Sequence, residues 1–405
     1  MRTCVAYYED SAVSRIFTAR QPVVFCMHIL HVSKYYPPEK GGLERVVQDI
    51  VTGMRERGHS CDVLCANTLS RHREDREENG RIIRCAEWGR VASTSLAPQL
   101  VLDYRRIADM YDIIHLHQPN PLATIAALSK QTAARLVVHW HSDIVRQRAA
   151  LKLYAPFQRR LLERTDAIIA TSPPYAAGSP WINRYSSKTH VVPIGIETGH
   201  LKTEPTQVDA IKDRFPGRPI VFALGRLTYY KGFEYLIRAA RDIPGAWFLI
   251  GGEGEERRRL ETLVSECEVG DRVILLGDIA HGEIGAYFAA CDVFCLPSHI
   301  KSEAFGVVQL EAMACAKPLV STAIPGSGVS WVNRDGESGL VVAPADPDAL
   351  AGAVNRLLAD PALAARLGAG GRARYRAMFT KRDMIEGVAR VYEEDRGAGW
   401  EASIA

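Results

Sequence analysis

The sequence predicts an α/β protein of two doubly wound parallel-sheet domains that face each other across a cleft. From Met27 onward, short β-branched runs alternate with longer amphipathic segments, which is the pattern of a parallel sheet covered by helices. A chain of 405 residues also exceeds what one hydrophobic core usually serves. The segment 196–218, rich in polar residues, Pro and Gly, separates two halves that share this alternation and is the predicted linker.

The predicted domains are residues 27–195 and 219–380, and a helix within 381–405 is long enough to return to the first domain. Strands of the first half are expected at 27–32, 60–65, 81–85, 112–116, 135–139, 166–170 and 190–193, and helices at 42–57, 98–108, 121–130, 144–164 and 173–183. Strands of the second half are expected at 219–224, 246–251, 272–276, 292–296, 318–322 and 339–342, and helices at 232–241, 254–268, 282–290, 305–315, 346–358 and 361–367. Ligands of such folds bind at the carboxyl ends of the strands, so the cleft is the predicted site.

Charge is unevenly distributed between the two halves. Residues 27–195 carry 23 Lys and Arg against 16 Asp and Glu, whereas residues 196–405 carry 24 against 29. The overall composition, with 47% hydrophobic and 24% charged residues, is that of an ordinary globular protein. The basic excess is too small for a nucleic-acid binder, but it suits a domain that contacts an anionic membrane or a diphosphate.

Cysteine usage and the N-terminal segment indicate the compartment. Nine cysteines without a C-x-x-C pair favour reduced thiols in a cytoplasmic protein. No apolar run approaches the ~20 residues that cross a bilayer, and residues 1–26 lack the apolar stretch of a signal peptide. We expect residues 1–26 to be a poorly ordered extension or a misassigned start, and the protein to be neither secreted nor integral to a membrane.

Two glutamates flank a predicted helix start in the segment 302–311, SEAFGVVQLE. At ~3.6 residues per turn, Glu311 lies inside the helix and Glu303 in the loop before it. Backbone N–H groups at a helix start can hold a phosphate while nearby carboxylates accept hydrogen bonds from sugar hydroxyls. The alternative is a surface Glu followed by an ordinary helical Glu.

A glycine-flanked loop with the sequence GRLTYYKG, 225–232, follows the first predicted strand of the second half. Its Arg226 and Lys231 lie five residues apart at a strand-to-helix junction, where both can face one diphosphate. The order G-x-x-x-x-G-K-[ST] of a Walker loop is absent. The alternative is a solvated loop with chance charges.

Three further pairs of residues occupy turns after predicted strands. Gly41 and Gly42 can present N–H groups to an anion, and Gly252 with Glu253 allows close approach of a ligand. Asp278 and Ile279 can place backbone groups against a nucleobase. Each pair is also compatible with a purely structural turn.

The segment HWHSD, 139–143, follows another predicted strand and places His141 at the edge of the cleft. His139 and His141 together suggest a metal site, but no third ligand stands at a suitable spacing, so no metal is predicted. The acidic pair Asp346 and Asp348 resembles a metal-binding D-x-D pattern, and a helix N-cap explains it more simply.

A run of cations among apolar residues, 146–164, predicts a basic amphipathic helix. Such a helix can lie on anionic lipid, whereas many are only a solvated face, and Pro156 interrupts this one. Both interpretations stay open. The cations are Arg146, Arg148, Lys152, Arg159, Arg160 and Arg164.

The motifs GGLER, HWHSD, GRLTYYKG, GEG and E-x7-E, in this order at predicted strand ends, resemble the retaining glycosyltransferases of family 4. That family has the GT-B fold of two Rossmann-like domains, and the likeness covers residues 27 to about 395. It implies that Arg226 and Lys231 hold the diphosphate of a nucleotide-sugar donor. Glu311 would then bind the ribose, and Glu303 would meet the transferred sugar.

The resemblance also implies that His141 touches the sugar near its reacting carbon. The candidate catalytic residues are therefore His141, Glu303, Arg226 and Lys231. The candidate donor-binding residues are Gly41, Gly42, Arg226, Lys231, Gly252, Glu253, Asp278, Ile279, Glu303, Phe305, Gly306, Val307 and Glu311.

The contexts KYYPPEKGGLE and HWHSDIVRQR are similar to the rhamnosyl- and mannosyltransferase subgroup of bacterial surface-polysaccharide and lipopolysaccharide assembly. This implies a hexosyltransferase that uses GDP-mannose, and no metal is assigned. The implied acceptor is a glycan or a polyprenyl-diphosphate-linked oligosaccharide, at the cytoplasmic face of the inner membrane. Retention implies that the acceptor attacks the face from which the phosphate leaves, so neither glutamate is a nucleophile.

Other functions remain open at this point. They are a UDP-sugar-dependent hexosyltransferase, a GT-B epimerase or phosphorylase, and a non-catalytic nucleotide-sugar-binding protein. A dehydrogenase is disfavoured because no G-x-G-x-x-G follows the first strand.

Overall fold

The structure, a computed structural model, describes residues 26–39, 41–91, 94–145 and 148–394. The expectation for the N-terminal extension therefore lies outside the described residues except at Cys26, and the predicted role of Arg146 also lies outside them. Among the described helices, none combines the length and the apolar character needed to span a bilayer.

The first domain alternates strands and helices. Its strands are β1 (His28–Val32), β2 (Ser60–Asn67), β3 (Arg73–Glu77), β4 (Gly80–Ala86), β5 (Arg90–Val91), β6 (Thr94–Ser95), β7 (Ile113–Gln118), β8 (Arg135–Trp140), β9 (Ala167–Ala170) and β10 (Thr189–Val191). Its helices are α1 (Gly42–Glu56), α2 (Pro98–Ile107), α3 (Pro121–Ser129), α4 (Arg148–Arg164) and α5 (Pro173–Gly178).

The second domain follows the same pattern. Its strands are β11 (Ile220–Leu224), β12 (Trp247–Gly251), β13 (Val273–Gly277), β14 (Val293–Leu296), β15 (Leu319–Thr322) and β16 (Gly339–Val342). The helices from the connecting segment onward are α6 (Pro205–Arg214), α7 (Phe233–Ala239), α8 (Arg257–Glu266), α9 (Ile284–Ala290), α10 (Val308–Ala314), α11 (Val329–Val332), α12 (Pro347–Ala359), α13 (Pro361–Met378) and α14 (Lys381–Glu393). Short 3-10 segments are Ala108–Met110, Asn183–Lys188, Gly199–Leu201, Tyr229–Lys231 and Ala240–Asp242.

Each domain has its own sheet with its first strand in the interior. The order is β10-β9-β8-β7-β1-β2-β4-β3 in the first sheet and β13-β12-β11-β14-β15-β16 in the second. Neighbouring strands are parallel, except that β3 runs antiparallel to β4. Because crossovers leave β1 and β11 in both directions, a crevice opens beside their carboxyl ends. The structure thus has the predicted pair of α/β domains.

The central strands are buried on both faces, which explains their near-continuous apolar sequences. Every residue of β7 and of β9 is buried. In contrast, β3 has the sequence REDRE and is mostly exposed at the sheet edge, so it carries no apolar alternation. This strand was missing from the prediction for that reason.

Two segments differ from their predicted form. The predicted linker, 196–218, contains α6, whose Ile211 is buried together with the following Phe215. Helix α13 continues past the predicted end at 367 to Met378. This stretch includes three glycines, a residue type that disfavours helix: Gly368, Gly370 and Gly371. A Cβ at Gly368 would lie 2.1 Å from the Ala316 carbonyl oxygen, so this glycine permits close packing of the helix on a loop.

The C-terminal helix α14 lies against the first domain. Ile385 occupies the space where a Cβ of Gly53 on α1 would stand, and Lys381 Nζ lies 3.6 Å from Asp49 of α1. The Tyr392 hydroxyl forms a 2.5 Å hydrogen bond with His115 of β7. The chain therefore crosses to the second domain and returns.

Candidate active site

The two domains meet where the carboxyl ends of their strands face each other. Lys301, in the loop after β14, donates hydrogen bonds of 2.8 Å to Asp143 after β8 and of 2.8 Å to the Gly178 carbonyl oxygen. Ala304, three residues further on, joins the apolar cluster of the first domain that contains Trp140 and Tyr175. The segments that carry His141 and Glu303 are thereby held side by side across the cleft.

The centre of the second-domain wall is an ion pair between two predicted residues. Lys231 Nζ lies 2.6 Å from Glu303 Oε2, with the side chains 11% and 10% exposed. The Ser298 hydroxyl donates to the same carboxylate oxygen at 2.9 Å. Burial favours the neutral amine, but the Glu303 carboxylate outweighs it and raises the pKa of Lys231. Lys231 therefore keeps its positive charge at neutral pH.

The turn after Lys231 requires glycine. Gly232 has φ of 67°, and a Cβ there would lie 2.2 Å from the Pro297 carbonyl oxygen. The turn is thus pressed against the loop that leaves β14 and leads to Glu303. This contact sets the separation of the two charged residues.

Arg226 is the exposed cation of the same loop. Its guanidinium makes no hydrogen bond or ion pair with another residue in the described part of the chain. Across the cleft, burial raises the pKa of Glu44, and the charge of Arg226 opposes that rise. A Cβ on Gly41 would lie 1.9 Å from a Glu44 carboxylate oxygen, while the space around Gly42 is open. Glu44 follows the predicted glycine pair by two residues, so the charge of Arg226 acts on the start of α1. An anion site shared by Arg226 and the two glycines stays a prediction.

The GEG turn has a structural role that its sequence did not reveal. Gly252 has φ of 125°, and a Cβ there would lie 2.0 Å from the Gly225 carbonyl oxygen. Its N–H donates to Gly277 at 2.7 Å, so three strand-end loops are joined through backbone. Glu253 is exposed and pairs with Arg257 at 2.6 Å.

Of the remaining residues predicted to bind the donor, some lie in exposed loops and others in the apolar core. Asp278 is exposed after β13, and Ile279 packs against Gly251. Phe305 is 2% exposed, with ring centroids 6.0 Å from Phe379 and 6.5 Å from Trp331. The Phe305 ring therefore belongs to the apolar core, and the donor contact of Phe305 stays a prediction. Only its backbone can reach a ligand.

Gly306 and Val307 form the entry to α10, which begins at Val308 rather than at 305. Gly306 has φ of 74° and Val307 is half-buried. Asp346 accepts a 2.9 Å hydrogen bond from the Ala349 N–H. The N-cap interpretation of Asp346 is confirmed.

Glu311 has a partner that the sequence did not indicate. His200, in the predicted linker, places Nε2 2.9 Å from Glu311 Oε1. The ring of His281, after β13, stacks on His200 at 4.5 Å, and Arg45 Nη1 of α1 lies 3.4 Å from His281 Nε2. Burial, followed by the neighbouring His200, lowers the pKa of His281.

His141 stands in a group of buried histidines rather than alone. His117 Nδ1 lies 3.0 Å from His141 Nε2, and His31, His115 and His139 lie beside them. Two sets of three place ligand-type atoms within 4.8 Å of one another: His31, His115 and His117, and His117, His139 and His141. The sequence offers no third ligand at a suitable spacing, but strand pairing brings His117, which is distant in sequence, beside His139 and His141.

Comparisons with known proteins decide the family. The model of glycosyl transferases group 1 matches residues 206–374, and that of the glycosyl transferase 4-like domain matches residues 41–195. The Escherichia coli O-antigen chain mannosyltransferase C is 34% identical over 370 residues, covering 90% of this chain and 98% of the relative. The chain belongs to the group 1 glycosyltransferases.

Further relatives agree with this assignment. The D-rhamnosyltransferase WbpZ of Pseudomonas aeruginosa is 32% identical, with 87% of this chain and 92% of the relative covered. The solved sucrose-phosphate synthase of Thermosynechococcus elongatus has a TM-score of 0.78 at 28% identity, covering 91% of this chain and 98% of that one. The predicted family, the GT-B fold and the assignment as a hexosyltransferase enzyme are confirmed.

In this glycosyltransferase, Lys231, Glu303, Arg226 and Glu311 line one wall of the cleft and His141 stands on the other. Four further residues at the site were not among those predicted from the sequence: His117, His200, His281 and Lys301. His117 belongs to a strand-like run, and His200 is more than one hundred residues from Glu311. Sequence spacing carried no signal for either contact.

Proposed function

We propose that this glycosyltransferase moves mannose from GDP-mannose, with retention, onto a lipid-linked oligosaccharide or similar polyprenyl-diphosphate-linked glycan of a bacterial surface polysaccharide. The observation that carries the proposal is the Lys231 cation, held 2.6 Å from Glu303 beside the exposed Arg226. Two cations at the carboxyl ends of parallel strands suit a sugar diphosphate. The related mannosyltransferase and D-rhamnosyltransferase, by their names, support a manno-configured sugar.

The chemistry follows from where charge develops. The bond between the sugar C1 and the phosphate oxygen breaks, leaving an oxocarbenium-like centre and a nucleoside diphosphate whose new charge Arg226 and Lys231 stabilise. The acceptor hydroxyl attacks the same face, and its proton passes to the departing phosphate oxygen. These two cations supply the neutralising charge, so the proposal assigns no metal ion to the step.

Each remaining residue has a positioning task in this scheme. Glu303 orients Lys231 and accepts from a hydroxyl of the transferred sugar, and Glu311 accepts from the ribose hydroxyls once His200 has moved away. His141 contacts the sugar from the first domain. Gly42, with open space around it, lets the acceptor or phosphate approach the backbone.

Helix α4 supports a peripheral membrane location at the cytoplasmic face. Leu153 and Phe157 are 80% and 52% exposed, one helical turn apart. Lys152, Arg159 and Arg160 are exposed beside them. Apolar side chains flanked by cations fit the boundary of an anionic bilayer, where a lipid-linked acceptor would be presented.

A donor screen followed by a transfer assay tests the function. GDP-mannose, UDP-glucose and ADP-glucose are compared by thermal shift, because a ligand that binds only the native state raises Tm by mass action. We expect the largest shift with GDP-mannose, and then α-mannosyl transfer to a polyprenyl-diphosphate-linked acceptor. A shift with UDP-glucose alone would support the UDP-sugar alternative. Donor consumption without acceptor would indicate an epimerase or hydrolase.

The membrane location is tested separately by flotation with vesicles of phosphatidylcholine containing phosphatidylglycerol. Leu153→Ser combined with Phe157→Ser should reduce flotation, because it removes the exposed apolar contact. Leu69→Ser, at a residue 52% exposed elsewhere in the first domain, is the matched control. Equal flotation of all three proteins would contradict the membrane proposal.

A further inference from the structure

Five histidines lie side by side inside the first domain, and the proposed function uses only one of them. They are His31 on β1, His115 and His117 on β7, His139 on β8 and His141 just beyond it. Four are 0% exposed and His141 is 8% exposed. Ring centroids of neighbours are 4.0 to 5.7 Å apart. A buried group of this size, with one member at the cleft, calls for a functional explanation.

Three of these rings are joined edge to edge. His31 Nδ1 lies 3.2 Å from His117 Nε2, and His117 Nδ1 lies 3.0 Å from His141 Nε2. We name this set the histidine chain: His31, His117 and His141. The other ring nitrogen of His141, Nδ1, makes no hydrogen bond to another residue that the structure describes.

Every ring of the histidine chain is neutral at ordinary pH. Burial lowers the pKa of His31 to about 3, and the Arg55 cation acts in the same direction. Burial likewise lowers the pKa of His117 and of His141 well below the usual value. A neutral imidazole carries one N–H and one lone pair, so His117, with both nitrogens engaged, donates on one side and accepts on the other.

The chain consequently has two arrangements. In the inward one, each N–H points away from the cleft, and His31 Nε2 carries a buried N–H. In the outward one, His31 donates to His117, His117 donates to His141 Nε2, and His141 carries its proton on Nδ1. His31 Nε2 has no hydrogen-bond partner among the described residues. An unpaired buried donor costs about 1–3 kcal/mol, and such N–H groups are rarer than unpaired acceptors.

We propose that the histidine chain adopts the outward arrangement and fixes His141 as the Nδ1–H tautomer, a hydrogen-bond donor facing the cleft. His117 and His31 are then positioning residues that act through His141. The catalytic consequence rests on the proposed function, in which His141 contacts the transferred sugar. A donor at this place can bind a sugar hydroxyl or ring oxygen, but it cannot take the proton of the acceptor. This agrees with proton transfer to the departing phosphate.

A shared metal ion fits these rings less well. His139 and His141 stack with an interplanar angle of 13°, and His115 and His139 with one of 3°. The lone pair of an imidazole nitrogen lies in the ring plane, so the lone pairs of stacked, nearly parallel rings lie in separate planes and do not converge well on one ion. The contacts of His117 are nitrogen to nitrogen at hydrogen-bond length.

The tautomer of His141 can be observed directly in the free protein. Long-range proton–nitrogen NMR spectra of the full chain labelled with ¹⁵N-histidine distinguish protonated from unprotonated ring nitrogens, and His141→Gln assigns the signal. We expect the proton of His141 on Nδ1. This readout needs no substrate, so it stands even if the proposed donor or acceptor is wrong. A proton on Nε2, or one zinc ion bound per chain in the purified protein, would overturn the proposal.

Variants of His117 connect the tautomer to turnover. His117→Leu removes the donor to His141 Nε2, whereas His117→Asn keeps an N–H near the position of Nδ1. In His117→Leu, we expect that His141 is no longer held as the Nδ1–H tautomer, so its proton also occupies Nε2. The kcat should fall about 10- to 100-fold, with the donor KM unchanged. His117→Asn should restore both the tautomer and most of kcat. His139→Leu, which removes a stacked ring without a hydrogen bond, is the control and should leave the tautomer unchanged.

Equal kcat for His117→Leu and His117→Asn would overturn the positioning role. The same holds if His139→Leu changes the tautomer as strongly as His117→Leu does. Both variants of His117 are first compared by urea unfolding, so that a loss of folded protein is not taken for a loss of turnover.

Discussion

Lys231 Nζ lies 2.6 Å from Glu303 Oε2, in a contact that closes the second-domain wall of the cleft. Both side chains are almost fully buried, so each charge depends on the other for its stability. The Ser298 hydroxyl donates a hydrogen bond to the Glu303 carboxylate, but it is uncharged and cannot replace the Lys231 cation. Lys231 is thus held rigidly, as a cation that meets developing negative charge must be.

Removing one partner of this pair should destabilise the protein more than removing both. Glu303→Gln leaves the Lys231 cation buried without a carboxylate, and we expect a loss of about 3–5 kcal/mol in the free energy of unfolding. Lys231→Met combined with Glu303→Gln should recover part of that loss, while transfer stays abolished because the cation is missing. Urea unfolding of the unchanged protein, Lys231→Met, Glu303→Gln and the double variant measures the coupling. Additive losses would show that the two residues act independently.

His200 should compete with the nucleotide for Glu311. Its Nε2 lies 2.9 Å from the carboxylate that we expect to bind the ribose. His200→Ala removes the competing contact, so the Kd for the nucleoside diphosphate should fall up to about tenfold, since one such hydrogen bond contributes about 1 kcal/mol. Glu311→Gln should weaken the same binding about tenfold or more.

Titration calorimetry with GDP measures both effects. Lys202→Ala, an exposed neighbour of His200, is the control and should bind as the unchanged protein does. Weaker binding by His200→Ala would contradict competition and would instead place His200 among the ribose ligands.

Lys301 should hold the two domains together at the cleft. It bonds Asp143 and the Gly178 carbonyl oxygen, and its Nζ lies 4.8 Å from the centre of the Tyr175 ring. Lys301→Ala removes these interdomain contacts, so the domains should separate further and the radius of gyration from small-angle X-ray scattering should rise. Lys212→Ala, on the exposed face of α6, controls for the loss of a charge. An unchanged radius of gyration together with unchanged kcat would contradict this role.

The buried histidines should make the protein sensitive to acid. Burial lowers the pKa of His139 to about 3 in the folded protein, against 6.5 as the ordinary value. Below pH 6.5 the unfolded chain binds a proton at His139 that the folded chain does not. The free energy of unfolding therefore has its full value above pH 6.5 and decreases as the pH falls towards about 3. The slope is about 1.4 kcal/mol per pH unit for one such group.

His139→Leu isolates this contribution. Urea unfolding between pH 6.5 and about 4.5 should give a pH slope shallower than that of the unchanged protein by about one proton. Identical slopes would mean that His139 is protonated in the folded protein and that the histidine cluster is not neutral.

The fold was predictable wherever local pattern decides structure. The buried strands carry continuous apolar runs, and the loops after them hold Arg226 and Lys231 because parallel sheets place strand ends on one edge. β3 was not predictable, since an exposed edge strand with the sequence REDRE needs no apolar face. The full length of α13 was not predictable, since its glycines disfavour a helix locally and are tolerated because Gly368 packs closely on a loop.

Several individual residues of the candidate site could be identified from the sequence, but the contacts between them could not. Glu303 and Lys231 were both identified, yet their pairing depends on β14 lying beside β11, which sequence spacing does not encode. His117 meets the segment of His141 because β7 pairs with β8 in a register that aligns His117 with His139. The burial of the Phe305 ring was not predictable, because a core ring and a ligand-binding ring look alike in sequence.

In the proposed reaction, the exposed Arg226 and the buried Lys231 hold the diphosphate of a nucleotide-sugar donor during retaining transfer. The most direct test is transfer from radiolabelled GDP-mannose to a polyprenyl-diphosphate-linked acceptor by the unchanged protein, Arg226→Ala, Lys231→Ala and the surface control Arg241→Ala. We predict an α-linked product with the unchanged protein and with Arg241→Ala, and no detectable product with the other two, while Arg226→Ala keeps its unfolding midpoint. Full turnover by both Arg226→Ala and Lys231→Ala would contradict a role of these two cations in holding the donor diphosphate.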